Sequence, residues 1–185
     1  MVDIMGHLAF GLVFVLPAWF IWRRRVSAAF VGLGLVTSLL PDIDLWLTKV
    51  FPAQFHHHGV THTVVFVALA SVVVGAIVAA LLTGPIDEWL GWDRFDSKSL
   101  FAFSFLAFLL GGLSHVFADM LSAPDISTPI EPFWPFFDKP WSVDLLYYND
   151  PLWNSVFLGV MLIVHVALAI VLSPSGHQYR MRAST

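Results

Sequence analysis

The chain has 185 residues, of which 58% are hydrophobic and only 12% charged. Soluble domains carry about 25% charged residues, so a water-soluble globule is excluded and an integral membrane protein is expected. The net charge of -4 excludes a nucleic-acid surface, and the lack of any cysteine excludes thiolate ligands, which leaves histidine, carboxylate or backbone oxygen for any metal.

In chain order, five apolar segments predict an all-α, integral-membrane helical bundle of about five transmembrane helices, a single domain over 1–185. They run at about 4–22, 26–40, 60–82, 100–118 and 152–172. The first is stopped by Arg23-Arg24-Arg25, the second by Pro41, the third by Gly84-Pro85 and the fifth by Ser173-Pro174. A membrane span needs roughly 20 apolar residues. The second segment has fewer and covers about 22 Å at ~1.5 Å per residue. Its Pro-Asp end is therefore expected inside the membrane or sheltered by protein. The first segment does not read as a cleaved signal peptide, because its positive charges follow the apolar run and no small-residue cleavage site is evident. No internal repeat is apparent.

With five spans the loops alternate sides. Arg23, Arg24, Arg25, Arg94, Lys98, Arg180 and Arg182 then fall on one side, and only Lys49 and Lys139 on the other. Positive-inside topology places the C-terminus in the cytoplasm of a multi-pass cell-membrane protein and the 41–59 and 119–151 loops outside.

The unusual polar residues collect at those outer ends. His7 opens the first span, Asp42 and Asp44 follow the second, and His56, His57, His58 and His62 precede the third. His115 and Asp119 close the fourth. Pro41 disfavours helix at Leu40, and if 42–44 is extended, both carboxylates point the same way. His115 and Asp119 are i,i+4 and share a helix face. A single interfacial histidine is ordinarily a hydrogen-bonded residue, and Asp42 and Asp44 alone would read as caps. Ionisable groups are costly near a bilayer, so the whole collection points to metal coordination. His165, deep in the fifth span, reads as a packing residue. The aromatics Phe133, Trp134, Phe136, Phe137, Trp141, Tyr147, Tyr148 and Trp153 read as an interfacial belt or a platform for a lipid. The stretch 87–99, with Trp89, Trp92 and Phe95, reads as an interfacial turn on the opposite side.

Gly6-His7, Leu40-Pro41-Asp42-Ile43-Asp44, His57-His58-Gly59-Val60-Thr61-His62 and Ser114-His115 through Asp119, followed by Pro132 to Pro135, occur in that order. The set resembles the YdjM-type family of membrane-bound metal-dependent hydrolases, and the resemblance covers about residues 5 to 137. It is also distantly similar to zinc-dependent phospholipase C. The resemblance implies that His57 and His62 are the paired motif histidines. It also implies that His58 stands where the family usually has arginine, a position that would meet a phosphate. The further ligand pair of the phospholipase-like enzymes has no partner after Asp119, so one or two ions are expected rather than three.

The expected ligands are His7, Asp42, Asp44, His57, His62, His115 and Asp119, more than the three or four of one catalytic zinc. Asp42 and His58 are the expected catalytic groups, Asp42 bridging or acting as base. Thr61 and Ser114 are expected to hydrogen-bond the histidines. The expected cofactor is zinc, with manganese as the alternative. The expected chemistry is attack of zinc hydroxide on a phosphoester or ester of a lipid-like, amphiphilic substrate at the outer interface. Two other classes compete. A metal-ion transporter would want ionisable groups near the bilayer midplane, where only His165 lies. A non-catalytic protein with a structural metal would close its site with four protein ligands.

Overall fold

A computed structural model describes residues 2–90 and 96–172. Arg94, Trp92, Phe95, Arg180 and Arg182, invoked above for sidedness and for the interfacial turn, and His177 near the C-terminus lie outside the described residues.

Helix α1 (Ile4–Val15) starts where the Asp3 carboxylate accepts the Gly6 N–H at 2.9 Å. Such a cap satisfies a donor that the first turn leaves unpaired. Pro17 has no N–H to continue the ladder, so the chain kinks and resumes as α2 (Ala18–Ile21). The two together make one apolar span, Ile4–Ile21. After the arginines, α3 (Arg24–Thr37) returns.

The next segment departs from the sequence expectation. Leu40 stays helical at φ -64° and ψ -41°, and Pro41–Ile43 forms a 3-10 turn that runs into α4 (Asp44–Val50). Proline is tolerated in a first helical turn, where its missing donor costs nothing. The strain is relieved by a 41° bend between α3 and the following segment instead of by an extended strand. Asp42 and Asp44 therefore do not alternate along a strand, yet both reach His62, Asp42 at Nε2 and Asp44 at Nδ1, and with His57 they form one potential ligand group.

A second 3-10 turn, Val60–His62, precedes α5 (Val64–Leu90). Thr63 sits extended and its hydroxyl accepts the Phe66 N–H at 3.0 Å, a threonine cap that sets the start of α5 four residues later than the apolar run suggested. Helix α6 (Ser97–Leu121) is capped by Asp96, whose side chain accepts the Ser99 N–H at 2.8 Å. A π-helical turn, Leu152–Val156, opens α7 (Phe157–Val171). Among the described residues, four helices are long and apolar enough to span a membrane, and five if the bent α3–α4 pair counts as one span.

The packing favours five crossings. The start of α1, the end of α3, the start of α5 and the end of α6 all meet at one end of the bundle, through His7, Ser38, His62 and His115. Helix α3 must therefore run back along the path that α1 took. It packs closely on α6 because Gly111 has no side chain. A Cβ there would lie 2.0 Å from Thr37 Oγ1 and 2.4 Å from the Gly34 carbonyl oxygen. Leu12, Val15, Trp19, Phe30, Phe103, Ala107 and Met161 fill the space between α1, α3, α6 and α7.

His165 behaves as a packing residue. Trp19 Nε1 donates to its Nδ1 at 2.7 Å, and its Nε2 lies 3.0 Å from the Leu12 carbonyl oxygen. The segment after α6 folds back over the polar end of the bundle. There the Pro132 carbonyl accepts the Val64 N–H at 2.9 Å.

Candidate metal centre

The four polar sequence motifs converge on one buried cluster. His7, His62, His115, Asp44 and Asp119 are each at most 2% exposed. The rings of His7 and His115 stack with centroids 3.6 Å apart and planes 4° apart. Gly6, the residue before His7, lets α1 sit against the turn that opens α7, since a Cβ there would lie 2.5 Å from Asn154 Oδ1.

The histidines are oriented from behind. His115 Nδ1 lies 2.7 Å from the carbonyl oxygen of Ser38, an acceptor, so Nδ1 carries the proton and Nε2 presents its lone pair. His62 Nδ1 lies 3.1 Å from Asp44 Oδ2 and is oriented in the same way. Asp44 is heavily engaged. Its Oδ1 lies 2.9 Å from His57 Nδ1, and its Oδ2 accepts the His58 N–H at 3.1 Å and the Thr61 hydroxyl at 3.0 Å. Thr61 thus acts on His62 both directly, at 3.1 Å, and through Asp44. Ser114 does not meet a histidine. Its hydroxyl donates to the Gly111 carbonyl at 2.6 Å, one turn back in α6, and the Ser38 carbonyl takes the role expected of it.

Two lone-pair nitrogens, His62 Nε2 and His115 Nε2, face each other at 3.2 Å. Asp42 Oδ1 lies 3.5 Å from each of them. Asp119 Oδ2 lies 3.6 Å from His62 Nε2 and 3.2 Å from His115 Nε2. Ligand atoms held ~2.0–2.2 Å from a tetrahedral zinc are about 3.3–3.6 Å apart, so the two histidine nitrogens have coordination spacing with Asp42 Oδ1 and, separately, with Asp119 Oδ2. The hydrogen-bond record agrees. Asp42 Oδ1, both Asp119 oxygens, both His7 nitrogens and His58 Nε2 are buried without a hydrogen-bond partner. Buried polar atoms are otherwise nearly always satisfied, and a cation bound here would satisfy these. The donor set, all imidazole and carboxylate, suits zinc or manganese. His7 Nε2, 3.6 Å from Asp119 Oδ1, and the triad of His57, His58 and His62 extend the cluster on either side.

His58 adopts a left-handed backbone, φ 64°, which non-glycine residues rarely take. It is held there by its N–H on Asp44 and by a short contact from Nδ1 to the Thr128 carbonyl oxygen. Its Nε2 stands 3.9 Å from Asp119 Oδ2. Burial withdraws the ring from water and pushes its pKa down to about 4, against the pull of Asp119. Burial acts the same way on His62, but its bonds to Asp42 and Asp44 outweigh it and raise that pKa.

A cavity of about 630 Å³ opens beside the cluster. Asp44, His58 and Thr61 form its inner wall. Phe55, His56, Val60, Thr128, Glu131 and Trp134 also line it. Sequence reasoning missed Ser38, Thr128 and Glu131. The first two act through backbone carbonyls, which leave no mark on residue type.

The model of a family described as YdjM inner membrane protein matches residues 1–180. No curated protein and no solved structure matches the chain.

Proposed function

The chain belongs to the YdjM inner membrane protein family, and from that premise we propose that it is an integral-membrane, metal-dependent hydrolase acting on a phosphoester or ester of a lipid-like substrate. The observation that carries this reading is the pair His62 Nε2 and His115 Nε2, each at coordination spacing from Asp42 Oδ1 and from Asp119 Oδ2, in a buried cluster beside an open cavity. A structural metal has no need of such a cavity, and a transporter needs polar access from the other end of the bundle.

A divalent cation held by these residues supplies a Lewis acid for the phosphoryl or acyl oxygen and acidifies water. The chain's own groups divide the remaining work. Asp44 and the Ser38 carbonyl hold the His62 and His115 rings with Nε2 turned inward. Asp42 is the most exposed of the three carboxylates in the cluster, with its side chain 14% accessible, and it orients the attacking water as general base. His58 is neutral and lines the cavity with Nε2 unpaired, so it takes up or returns a proton at that atom. Phe55, Val60 and Trp134 give the cavity the apolar lining that an amphiphile requires.

Elemental mass spectrometry of the purified protein is expected to give about one or two equivalents of zinc or manganese. A screen of phosphodiester and carboxyl-ester amphiphiles is expected to give turnover that chelation abolishes and metal restores. His115→Ala is expected to be inert in both assays. Wild-type protein without metal, even after reconstitution, would end this reading.

We also propose that the site faces the extracytoplasmic side, because Arg23, Arg24 and Arg25 lie at the opposite end of the bundle. A reporter fused after Thr185 should then read cytoplasmic. An extracytoplasmic signal would invert the assignment.

A further inference from the structure

The cavity beside the cluster lacks the permanently charged cations that commonly hold a dianion, its basic lining being His56 and His58 alone. Among the described residues that line it there is no lysine and no arginine. Its two carboxylates are Asp44, committed to His57, His62 and Thr61 at the inner wall, and Glu131 toward the outside. Glu131 is partly buried, and its carboxylate makes no hydrogen bond or ion pair among the described residues. Three residues on, the indole of Trp134 lines the same cavity, and the turn between them is closed by the Trp134 N–H on the Glu131 carbonyl at 3.2 Å.

A phosphomonoester carrying two negative charges would approach past the Glu131 carboxylate and meet only the imidazoles of His56 and His58, with no lysine or arginine. A phosphodiester whose alcohol ends in an ammonium group meets complementary chemistry at both ends. Its phosphate lies toward the cation-binding cluster. Its ammonium lies against the Glu131 carboxylate and the Trp134 ring, which attract it by charge and by the ring quadrupole. The volume of about 630 Å³ holds such a head group with the start of its chain.

We infer that this cavity is a head-group site selective for zwitterionic amphiphiles of the phosphocholine or phosphoethanolamine type, with Glu131 and Trp134 as its specificity-determining residues. The inference rests on the hydrolase reading only for the position of the phosphate, and binding tests it without turnover. Hexadecylphosphocholine and hexadecyl phosphate share one chain and differ in head group. Each is titrated by calorimetry, at low mole fraction in maltoside micelles, into metal-loaded protein, with choline release followed in parallel.

Wild type is expected to bind the phosphocholine at least about tenfold more tightly than the alkyl phosphate. Glu131→Gln is expected to cut that preference to within about threefold with metal content unchanged. Trp134→Ala is expected to weaken the phosphocholine about fivefold, in line with loss of a cation–ring contact. Equal or reversed preference in wild type, no measurable binding of either, or a preference that survives Glu131→Gln would each overturn the inference. Selective binding without choline release would leave it standing while counting against hydrolysis.

Discussion

Asp119→Ala is expected to leave the purified protein with less than about a tenth of the wild-type metal. Any hydrolytic activity should fall by at least the 10²–10³-fold typical of removing one key electrostatic group from an active site. The reason is the position of Asp119 in the cluster. Its Oδ1 faces His7 at 3.6 Å, and its Oδ2 faces His58, His62 and His115 at 3.9, 3.6 and 3.2 Å. No hydrogen bond holds either oxygen, so the proposed centre assigns Asp119 to the cation and not to the scaffold. The variant should therefore keep wild-type helicity. Elemental analysis and circular dichroism on the same sample check both halves. Full metal occupancy in Asp119→Ala would exclude it as a ligand, and lost helicity would give it a structural role.

The second large effect is expected at a residue that touches no candidate ligand. Gly111→Ala adds a methyl group where Thr37 Oγ1 is 2.0 Å away, the Gly34 carbonyl oxygen 2.4 Å and the Ser38 amide nitrogen 3.0 Å. Two of these are backbone atoms, so α3 and α6 must separate. Overpacking of this kind costs about 1–3 kcal/mol. The displaced stretch includes Ser38, whose carbonyl orients His115, so metal affinity should drop by about 10–100-fold as it does when an orienting group is lost. Gly32→Ala, on the facing helix α3 with nothing within 4 Å, is the control. It should be neutral or gain up to about 1 kcal/mol of helix propensity. Thermal unfolding in detergent, with and without added zinc, separates the two. Equal melting temperatures for Gly111→Ala and wild type would mean that the helix contact is looser than described.

Much of this centre was legible before any coordinates. The i,i+4 spacing of His115 and Asp119 fixes them on one face of a helix whatever surrounds it. The alternation of apolar runs brings His7, Asp42, His62 and His115 to one end of any antiparallel bundle. What could not be read was tertiary or main-chain in origin. The Ser38 and Thr128 carbonyls orient histidines, and any residue type supplies a carbonyl. Asp42 and Asp44 looked equivalent in sequence, yet the bend after Leu40 turns one into the cation cluster and the other behind the His62 ring. Ser114 looked like a partner for its neighbour His115. On a helix, however, adjacent side chains diverge by about 100°, and a buried hydroxyl is most easily satisfied by the carbonyl one turn back. Glu131 lay in a proline- and aromatic-rich stretch, and nothing in its spacing tied it to the histidines.

The distribution of the ligands along the chain bears on how the protein is made. His7 leaves the ribosome first and Asp119 only after more than a hundred further residues, yet their side chains meet. That meeting requires each intervening helix to have been inserted in the correct sense. If one turnaround failed, His7 and His115 would sit on opposite faces of a ~30 Å hydrocarbon layer, too far apart to share any ion. A bound cation is thus a certificate of completed biogenesis. The metal-loaded fraction of the protein in a membrane preparation is expected to count the chains that have been threaded correctly.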